Sequence, residues 1–292
     1  MEKISPGKKF RQKLNEHQPL QILGTINAYI AIMAEQIGFK AIYLSGAGVA
    51  NSSYGLPDLG LTTLDNVLED VRRITAAVDL PLIVDIDTGW GSALMIERSI
   101  KSMIRAGAAG VHIEDQVFHK RCGHRPDKSL ISREEMCERV HAADNSRRQI
   151  DPDFYLIART DAYANEGLEG VIERGLAYKE AGADALFPEA LTVLEDYSTL
   201  KKEIDLPILA NLTEFGKTPL YSLDELKSAH VEMVLYPLSV NRAMNQAAWM
   251  VLEEIYKNGT QRGMLDKMQT REQLYHFLKY EELENKLNRL LE

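Results

Sequence analysis

Short apolar runs rich in β-branched residues alternate along the chain with longer stretches of helical periodicity. These runs predict eight strands, at residues 21–27, 41–46, 81–87, 110–116, 154–161, 185–189, 207–212 and 233–238. Most of the runs are apolar throughout, which is the pattern of parallel strands buried on both faces. Eight strand and helix units in one chain favour a (β/α)8 TIM-type barrel over an open sheet.

No low-complexity linker interrupts this alternation, so we expect residues 1–292 to form a single barrel domain. Residues 265–292 form a helical extension beyond the eighth predicted strand, with leucines at helical spacing among charged residues. An apolar helix face left over after the barrel is complete is a natural contact between subunits.

Composition narrows the range of partners and compartments. The 292 residues carry a net charge of -9, which argues against a nucleic-acid or anionic-membrane surface because both need a large basic face. The first residues lack the apolar core of a secretory signal, and no apolar run approaches the ~20 residues that span a bilayer. Two cysteines are too few for a disulfide framework. We therefore expect a cytoplasmic protein with free thiols.

Polar residues gather at the ends of the predicted strands, where a barrel carries its active site. These residues are Tyr43, Ser45, Asp85, Asp87, His112, Glu114, Asp115, Arg159, Asp161, Glu189, Asn211, Thr213, Glu214, Tyr236 and Ser239, and Arg242 follows just beyond. Such a ring is costly to desolvate unless it meets a metal, counter-charges or a substrate. The alternative is that these groups only pair with one another.

Asp85 and Asp87 stand two residues apart on one predicted strand, so their side chains are expected on the same face. Carboxylate oxygens, completed by water and substrate, suit Mg²⁺ better than zinc. Glu114 and Asp115 on the next strand are placed to bind metal-held water or to pair with a basic residue. Asp85 and Asp87 therefore predict a magnesium site.

Cys122 lies among basic residues and glycine in the segment KRCGHR at 120–125. Positive charges stabilise a thiolate and lower the thiol pKa toward the working pH, where proton transfer is efficient. Gly123 allows close approach of a ligand to the backbone, and His124 adds a donor. The alternative is an inert thiol in a solvated loop. Cys137 lies on an acidic helical segment and receives no function.

The segment KRCGH at 120–124 resembles the cysteine signature of the isocitrate lyase and phosphoenolpyruvate mutase superfamily. Further matching motifs, in the expected order over nearly the whole chain, are SPG at 5–7, YLSG at 43–46, GLPD at 55–58, HIEDQ at 112–116, FPE at 187–189, NLTEFG at 211–216 and LYPLS at 235–239. Several motifs in order are far more specific than one. Within the superfamily they resemble the branch that acts on 2-methylisocitrate.

The resemblance implies a carbon–carbon lyase that cleaves (2S,3R)-2-methylisocitrate to pyruvate and succinate in the methylcitrate cycle of propionate catabolism. It implies a Mg²⁺ cofactor, with Mn²⁺ as a substitute, on Asp85 and Asp87. Cys122 would act as the general acid that protonates the nascent succinate. Tyr43 and Glu114 are both candidates for the base.

The same resemblance places the tricarboxylate substrate against Ser45, Gly46, Ala47, Cys122, Gly123, His124, Arg159, Glu189, Asn211, Leu212, Thr213, Arg242 and Arg271. It places Phe187 and Leu235 in a pocket for the substrate methyl group. Trp90 departs from the pattern, since relatives have another aromatic residue there. The resemblance also implies a homotetramer in which the C-terminal helix is exchanged between subunits.

Three alternatives remain at this point. Phosphonomutases and oxaloacetate hydrolases of the superfamily share the metal carboxylates but generally lack the cysteine segment. A 2,3-dimethylmalate lyase would use the same metal, the same cysteine and the same type of cleavage. A non-catalytic carboxylate-binding barrel would need no activated thiol.

Overall fold

The structure, a computed structural model, describes residues 4–121, 123 and 128–291. Within these residues eight parallel strands form one sheet. They are β1 (Leu20–Gly24), β2 (Ala41–Leu44), β3 (Leu82–Asp85), β4 (Gly110–Glu114), β5 (Tyr155–Thr160), β6 (Ala185–Pro188), β7 (Leu209–Asn211) and β8 (Met233–Tyr236). All eight predicted strands are confirmed, each shorter than its apolar run.

The sheet order is β6-β5-β4-β3-β2-β1-β8-β7. A parallel bridge between Leu186 and Ile208 joins the two edge strands, so the barrel is nearly closed. This confirms the predicted (β/α)8 architecture. The carboxyl ends of all the strands consequently meet at one mouth.

Helices surround the barrel and extend it at the C-terminus. They are α1 (Pro6–Glu16), α2 (Ala28–Ile37), α3 (Gly46–Gly48), α4 (Leu64–Ala77), α5 (Ala93–Arg105), α6 (Arg133–Arg148), α7 (Tyr163–Glu180), α8 (Leu194–Ile204), α9 (Leu223–Ser228), α10 (Ser239–Asn258), α11 (Arg271–Phe277) and α12 (Tyr280–Leu291). A π-helical turn, Val49–Ser53, continues α3, and a 3-10 turn, Arg262–Lys267, precedes α11. None of the helices in the described ranges is long and apolar enough to cross a bilayer.

Successive side chains of each strand point to opposite faces of the sheet, and this divides the buried core into two clusters. One lies between the sheet and the helices and includes Ile42 and Val84, while the other lies inside the barrel and includes Tyr43 and Ile83. Helix α1 contributes Phe10 to the inner cluster, where its ring lies 4.8 Å from that of Tyr155. Apolar side chains thus fill the amino-terminal half of the barrel, which leaves the polar strand ends to form the mouth.

The C-terminal extension follows α10. Helix α11 contacts α2, where the Tyr29 hydroxyl donates to Gln269 and the Gln36 amide donates to the Phe277 carbonyl. Helix α12 has no buried residue within the described chain. The predicted extension therefore exists, and its apolar face is uncovered in a single chain.

Candidate active site

A cavity of about 80 Å³ opens at the carboxyl ends of the strands. Ten of the residues that the sequence analysis assigned to the site line it: Tyr43, Ser45, Ala47, Asp85, Gly123, Arg159, Glu189, Asn211, Thr213 and Arg242. They come from loops and strand ends spread over about two hundred residues of sequence. The barrel brings them together because all strands end at the same mouth.

Asp85 is the last residue of β3, and Asp87 lies in the turn that follows, with φ of 49°. The expectation that strand alternation aligns the pair was therefore wrong, because the strand ends before Asp87. The turn makes the two side chains converge instead, since a Cβ on Gly46 would lie 3.1 Å from Asp85 Oδ2 and 3.2 Å from Asp87 Oδ1. The Gly46 amide donates to Asp85 Oδ2 at 3.0 Å, so this glycine acts through its backbone.

The two carboxyl groups differ in their protonation. Burial disfavours the charged form of Asp85, but interactions with His112 and Lys120 outweigh burial and help lower its pKa to about 2. Burial, reinforced by the charge of Asp85, raises the pKa of Asp87 to about 6. A further cation at the pair would favour ionisation of both.

Lys120 and Asp58 complete this acidic cluster. The Lys120 ammonium contacts Asp87 Oδ1 and lies 2.7 Å from Asp58 Oδ1. Sequence reasoning noted Lys120 only as a positive neighbour of Cys122 and assigned Asp58 no role. The GLPD motif that contains Asp58 was the available signal, but nothing in it indicated which lysine, 62 positions later, would pair with it.

The donor set fits a hard divalent cation. Both carboxylate oxygens of Glu114 are buried and accept no hydrogen bond from the described residues, with the Arg159 guanidinium 3.4 Å from Oε2, while Asp87 Oδ1 is buried against the Lys120 ammonium. In the same part of the chain no group of three or more His, Cys, Asp or Glu side chains is arranged to hold a metal ion. Two carboxylates supplemented by substrate oxygens and water are typical of Mg²⁺.

Tyr43 and His112 form a buried polar pair beside Asp85. The Tyr43 hydroxyl lies 2.8 Å from His112 Nε2 and 3.4 Å from Asp85 Oδ2. Burial raises the pKa of Tyr43 well above its usual value and lowers the pKa of His112 to about 4. At neutral pH the phenol keeps its proton and the imidazole is uncharged.

Arg159 lies among the carboxyl groups of Asp161, Glu189 and Glu114. Its Nε and Nη2 donate to the two oxygens of Asp161 at 2.9 and 3.2 Å. Its guanidinium also lies 3.3 Å from Glu189 Oε2 and 3.4 Å from Glu114 Oε2. Burial raises the pKa of Glu114 well above its usual range, although Arg159 opposes the shift. Arg159 therefore holds three carboxyl groups at once while it lines the cavity.

Amide and hydroxyl groups also line the cavity. The Asn211 amide donates to Glu189 at 3.3 Å, and the Thr213 hydroxyl donates to Asn211 Oδ1 at 3.3 Å. Arg242 Nε lies 3.6 Å from Glu214 Oε2. Arg242 is half-exposed, so its guanidinium is available to a substrate carboxylate.

The two apolar side chains expected to form a methyl pocket lie in the same cavity. Phe187 and Leu235 both line the cavity, and the Phe187 ring packs under the Arg159 guanidinium at 5.2 Å. Trp90 does not line it. Its indole N–H donates to the Thr62 carbonyl at 3.1 Å, so this residue joins the turn after β3 to the segment before α4.

Four predicted residues remain outside this arrangement. The side chain of Leu212 packs in the cluster between sheet and helices, because β7 directs it away from the barrel interior. Arg271 lies at the start of α11, in a groove lined by Gln36 and other residues of α11 and α12. Cys122 and His124 lie outside the described residues.

Comparisons with known proteins agree with this geometry. Residues 10–256 match the family model of phosphoenolpyruvate phosphomutase. The chain is 57% identical over 293 residues to a 2-methylisocitrate lyase of Vibrio cholerae, covering 98% of this chain and 94% of the relative.

Two solved structures share the fold. The crystal structure of 2,3-dimethylmalate lyase superposes with a TM-score of 0.90 at 31% identity, covering 97% of this chain and 94% of that one. Phosphonopyruvate hydrolase in complex with oxalate and Mg²⁺ superposes with a TM-score of 0.84 at 28% identity, covering 99% and 100%. The chain therefore belongs to the phosphoenolpyruvate mutase family and, within it, to the 2-methylisocitrate lyases.

Proposed function

We propose that this protein cleaves (2S,3R)-2-methylisocitrate to pyruvate and succinate with the aid of Mg²⁺. The observation that carries the proposal is the cavity itself. Asp85, two arginines and the apolar side chains of Phe187 and Leu235 line it, and the Asp87 carboxylate converges with that of Asp85 next to Gly46. The 57% identity to a 2-methylisocitrate lyase supports the same reaction.

In the proposed reaction, negative charge develops first on the hydroxyl oxygen of the substrate and then on the carbon that becomes part of succinate. The tertiary hydroxyl loses its proton, the bond between C2 and C3 breaks to leave the ketone of pyruvate, and the electron pair remains on the succinate carbon. A proton from a general acid then completes succinate. Asp85 and Asp87 would hold the Mg²⁺, which when bound stabilises developing negative charge on oxygen.

Arg159 and Arg242, which both line the cavity, would bind substrate carboxylates. Ser45 and Thr213, which also line the cavity, would add hydroxyl groups to the substrate site. Cys122, by the family pattern, would donate the proton to the succinate carbanion, and the basic residues of the segment KRCGHR around it favour such a role.

Tyr43 and Glu114, the two candidates for the base, differ in their position relative to the cavity. Tyr43 lines the cavity, whereas the fully buried Glu114 faces Arg159 and does not line it. The two roles are distinguishable by Tyr43→Phe and Glu114→Gln. The variant that lacks the base loses turnover but still binds succinate.

Pyruvate release tests the proposed function. The purified protein is given 2-methylisocitrate, isocitrate or 2,3-dimethylmalate, each with Mg²⁺, Mn²⁺ or EDTA. We expect fast turnover of 2-methylisocitrate that EDTA abolishes and either metal restores. Turnover of 2,3-dimethylmalate alone would assign the protein to that lyase instead. A folded protein that turns over none of the three would overturn the lyase proposal.

We also propose a homotetramer in which residues 265–292 contact a neighbouring subunit. Trp249, Leu252 and Ile255 on α10 and Leu287 and Leu290 on α12 are exposed apolar side chains in the single chain. Arg271 lies outside the cavity of its own chain, so its implied substrate contact requires the cavity of another subunit. Truncation after Thr270 should dissociate the assembly in light scattering, and a truncated protein that stays tetrameric would refute the exchange.

A further inference from the structure

Lys128 has a buried ammonium group that the proposed reaction does not use. Its side chain is only 2% exposed, and it lies between β4 and α6. The ammonium donates to the Gly123 carbonyl at 2.6 Å and to Asp161 Oδ1 at 2.6 Å. The Lys128 carbonyl in turn accepts from the Asn165 amide at 2.9 Å. Lys128 is thus held at both its main chain and its side chain.

Asp161 connects Lys128 to the cavity. The same carboxylate accepts two hydrogen bonds from Arg159, so the lysine and the arginine share one anionic partner. Burial disfavours the charged form of Asp161, but Arg159 and Lys128 outweigh burial and hold its pKa at about 2. A shift of the ammonium therefore changes the position of the carboxylate that orients Arg159.

The backbone of Gly123 lies directly against Arg159 as well. A Cβ built on this glycine would lie 2.4 Å from Arg159 Nη2 and 2.6 Å from Glu189 Cγ. Its backbone therefore packs directly on the guanidinium that lines the cavity. Lys128 donates hydrogen bonds to this backbone and to Asp161, and Asp161 accepts hydrogen bonds from the same guanidinium.

Fold stability alone does not account for such a lysine. Burying an ammonium group carries a desolvation cost, and a buried ion pair replaced by apolar side chains is often no less stable. We propose that Lys128 is a positioning residue, which ties the main chain at Gly123 to Asp161 and so holds Gly123 and Arg159 in place for carboxylate binding. The kinetic part of this inference rests on the proposed lyase activity, whereas the structural part does not.

The test compares Lys128→Met with a matched control, Lys201→Met. Lys201, which is 27% exposed, also pairs with a carbonyl and a close carboxylate, those of Leu206 at 3.2 Å and Glu232 at 2.7 Å, and lies 4.0 Å from Asp205 Oδ1. Leu206 and Glu232 precede strands β7 and β8, so this lysine lies at the end of the barrel away from the cavity. The two variants therefore delete similar interactions at opposite ends.

Hydrogen–deuterium exchange and steady-state kinetics give independent readouts. We expect Lys128→Met, which removes both hydrogen bonds of the ammonium, to speed exchange in the peptide spanning residues 117 to 131. We expect it to lower kcat/KM about ten-fold to a hundred-fold, an effect the size of one hydrogen bond from a charged donor, because the lysine acts on the substrate only through Gly123 and Arg159. Most of the kinetic loss should appear in KM, because carboxylate binding is what Arg159 contributes. Lys128→Gln, which keeps an N–H donor, should recover part of it. Lys201→Met should change neither readout.

Each failure has a distinct meaning. Unchanged exchange and unchanged kinetics in folded Lys128→Met would overturn the positioning role. If Lys128→Met does not fold, the same two readouts on Lys128→Gln decide the question, and wild-type exchange and KM there would overturn it. If the wild-type protein turns over none of the substrates, the proposed function fails, and exchange together with succinate binding by calorimetry still decides the role of Lys128.

Discussion

Replacement of Arg159 by lysine tests the central assignment of the site. The change keeps one positive charge in place, so a purely electrostatic role predicts a small effect. The structure predicts a large one, because the guanidinium donates to both oxygens of Asp161 and reaches Glu189 and Glu114 at the same time. One ammonium nitrogen cannot span these partners and also face a substrate carboxylate.

The magnitude follows from the hydrogen bonds that the guanidinium would make to a substrate carboxylate. Arginine can donate two parallel charge-assisted hydrogen bonds to a carboxylate, and a displaced lysine ammonium loses them, at about 1.5 to 3 kcal/mol each or about 3 to 6 kcal/mol in all. At about 1.4 kcal/mol for each factor of ten, kcat/KM should fall about a hundred-fold to ten-thousand-fold. The loss should exceed any effect on folding, since the ammonium still neutralises part of the carboxylate ring.

The assay is kcat/KM for pyruvate release, accompanied by thermal unfolding. Arg147→Lys serves as the control, because Arg147 is equally buried and also pairs with two carboxylates, those of Asp144 and Asp184, away from the cavity. The control should lower the melting temperature and leave kcat/KM of the folded enzyme unchanged. A folded Arg159→Lys enzyme that keeps more than about a tenth of wild-type kcat/KM would refute the reasoning.

Three further predictions concern the acid, the metal and the methyl group. Cys122→Ser should lower turnover about a hundred-fold to ten-thousand-fold while calorimetry still detects substrate binding, and Cys137→Ser should change neither; near-normal turnover of the first variant would contradict the role of acid. Burial raises the pKa of Asp87 to about 6, so below that pH the proton competes with the cation. The Kd for Mg²⁺ should therefore rise about ten-fold per pH unit as the pH falls below about 6, and a flat Kd in calorimetry would contradict this competition. Leu235→Phe should reduce the preference for 2-methylisocitrate over isocitrate about ten-fold in kcat/KM, because it fills space meant for one methyl group; an unchanged ratio would exclude Leu235 from that pocket.

Much of the architecture was predictable because it depends on local pattern. Apolar runs at regular spacing predicted all eight strands, and the rule that barrel sites lie at the carboxyl ends of strands selected side chains that line one cavity. The runs overestimated strand length, since an apolar side chain is buried equally well in a turn beyond the last ladder hydrogen bond. Asp87 shows the consequence, because it lies in a turn with positive φ although its sequence context is that of a strand.

Contacts between loops were not predictable. Lys120 pairs with Asp58, and Lys128 pairs with Gly123 and Asp161, over separations that no periodicity encodes. Leu212 was assigned to the substrate although its side chain packs on the outer side of the sheet. A sequence motif identifies a segment near the site, but it does not say which way each side chain in that segment points.

The sequence by itself determined the barrel, its polar mouth and the residue types that a metal-assisted lyase needs, because these follow from hydrophobic periodicity and from side-chain chemistry. Only the tertiary structure decided which charges face each other. It placed Arg159 among three carboxyl groups and separated the pKa values of Asp85 and Asp87 by burial and neighbouring charge. Such effects depend on distances of a few ångströms between distant segments, and those distances arise only when the eight strands close on one another.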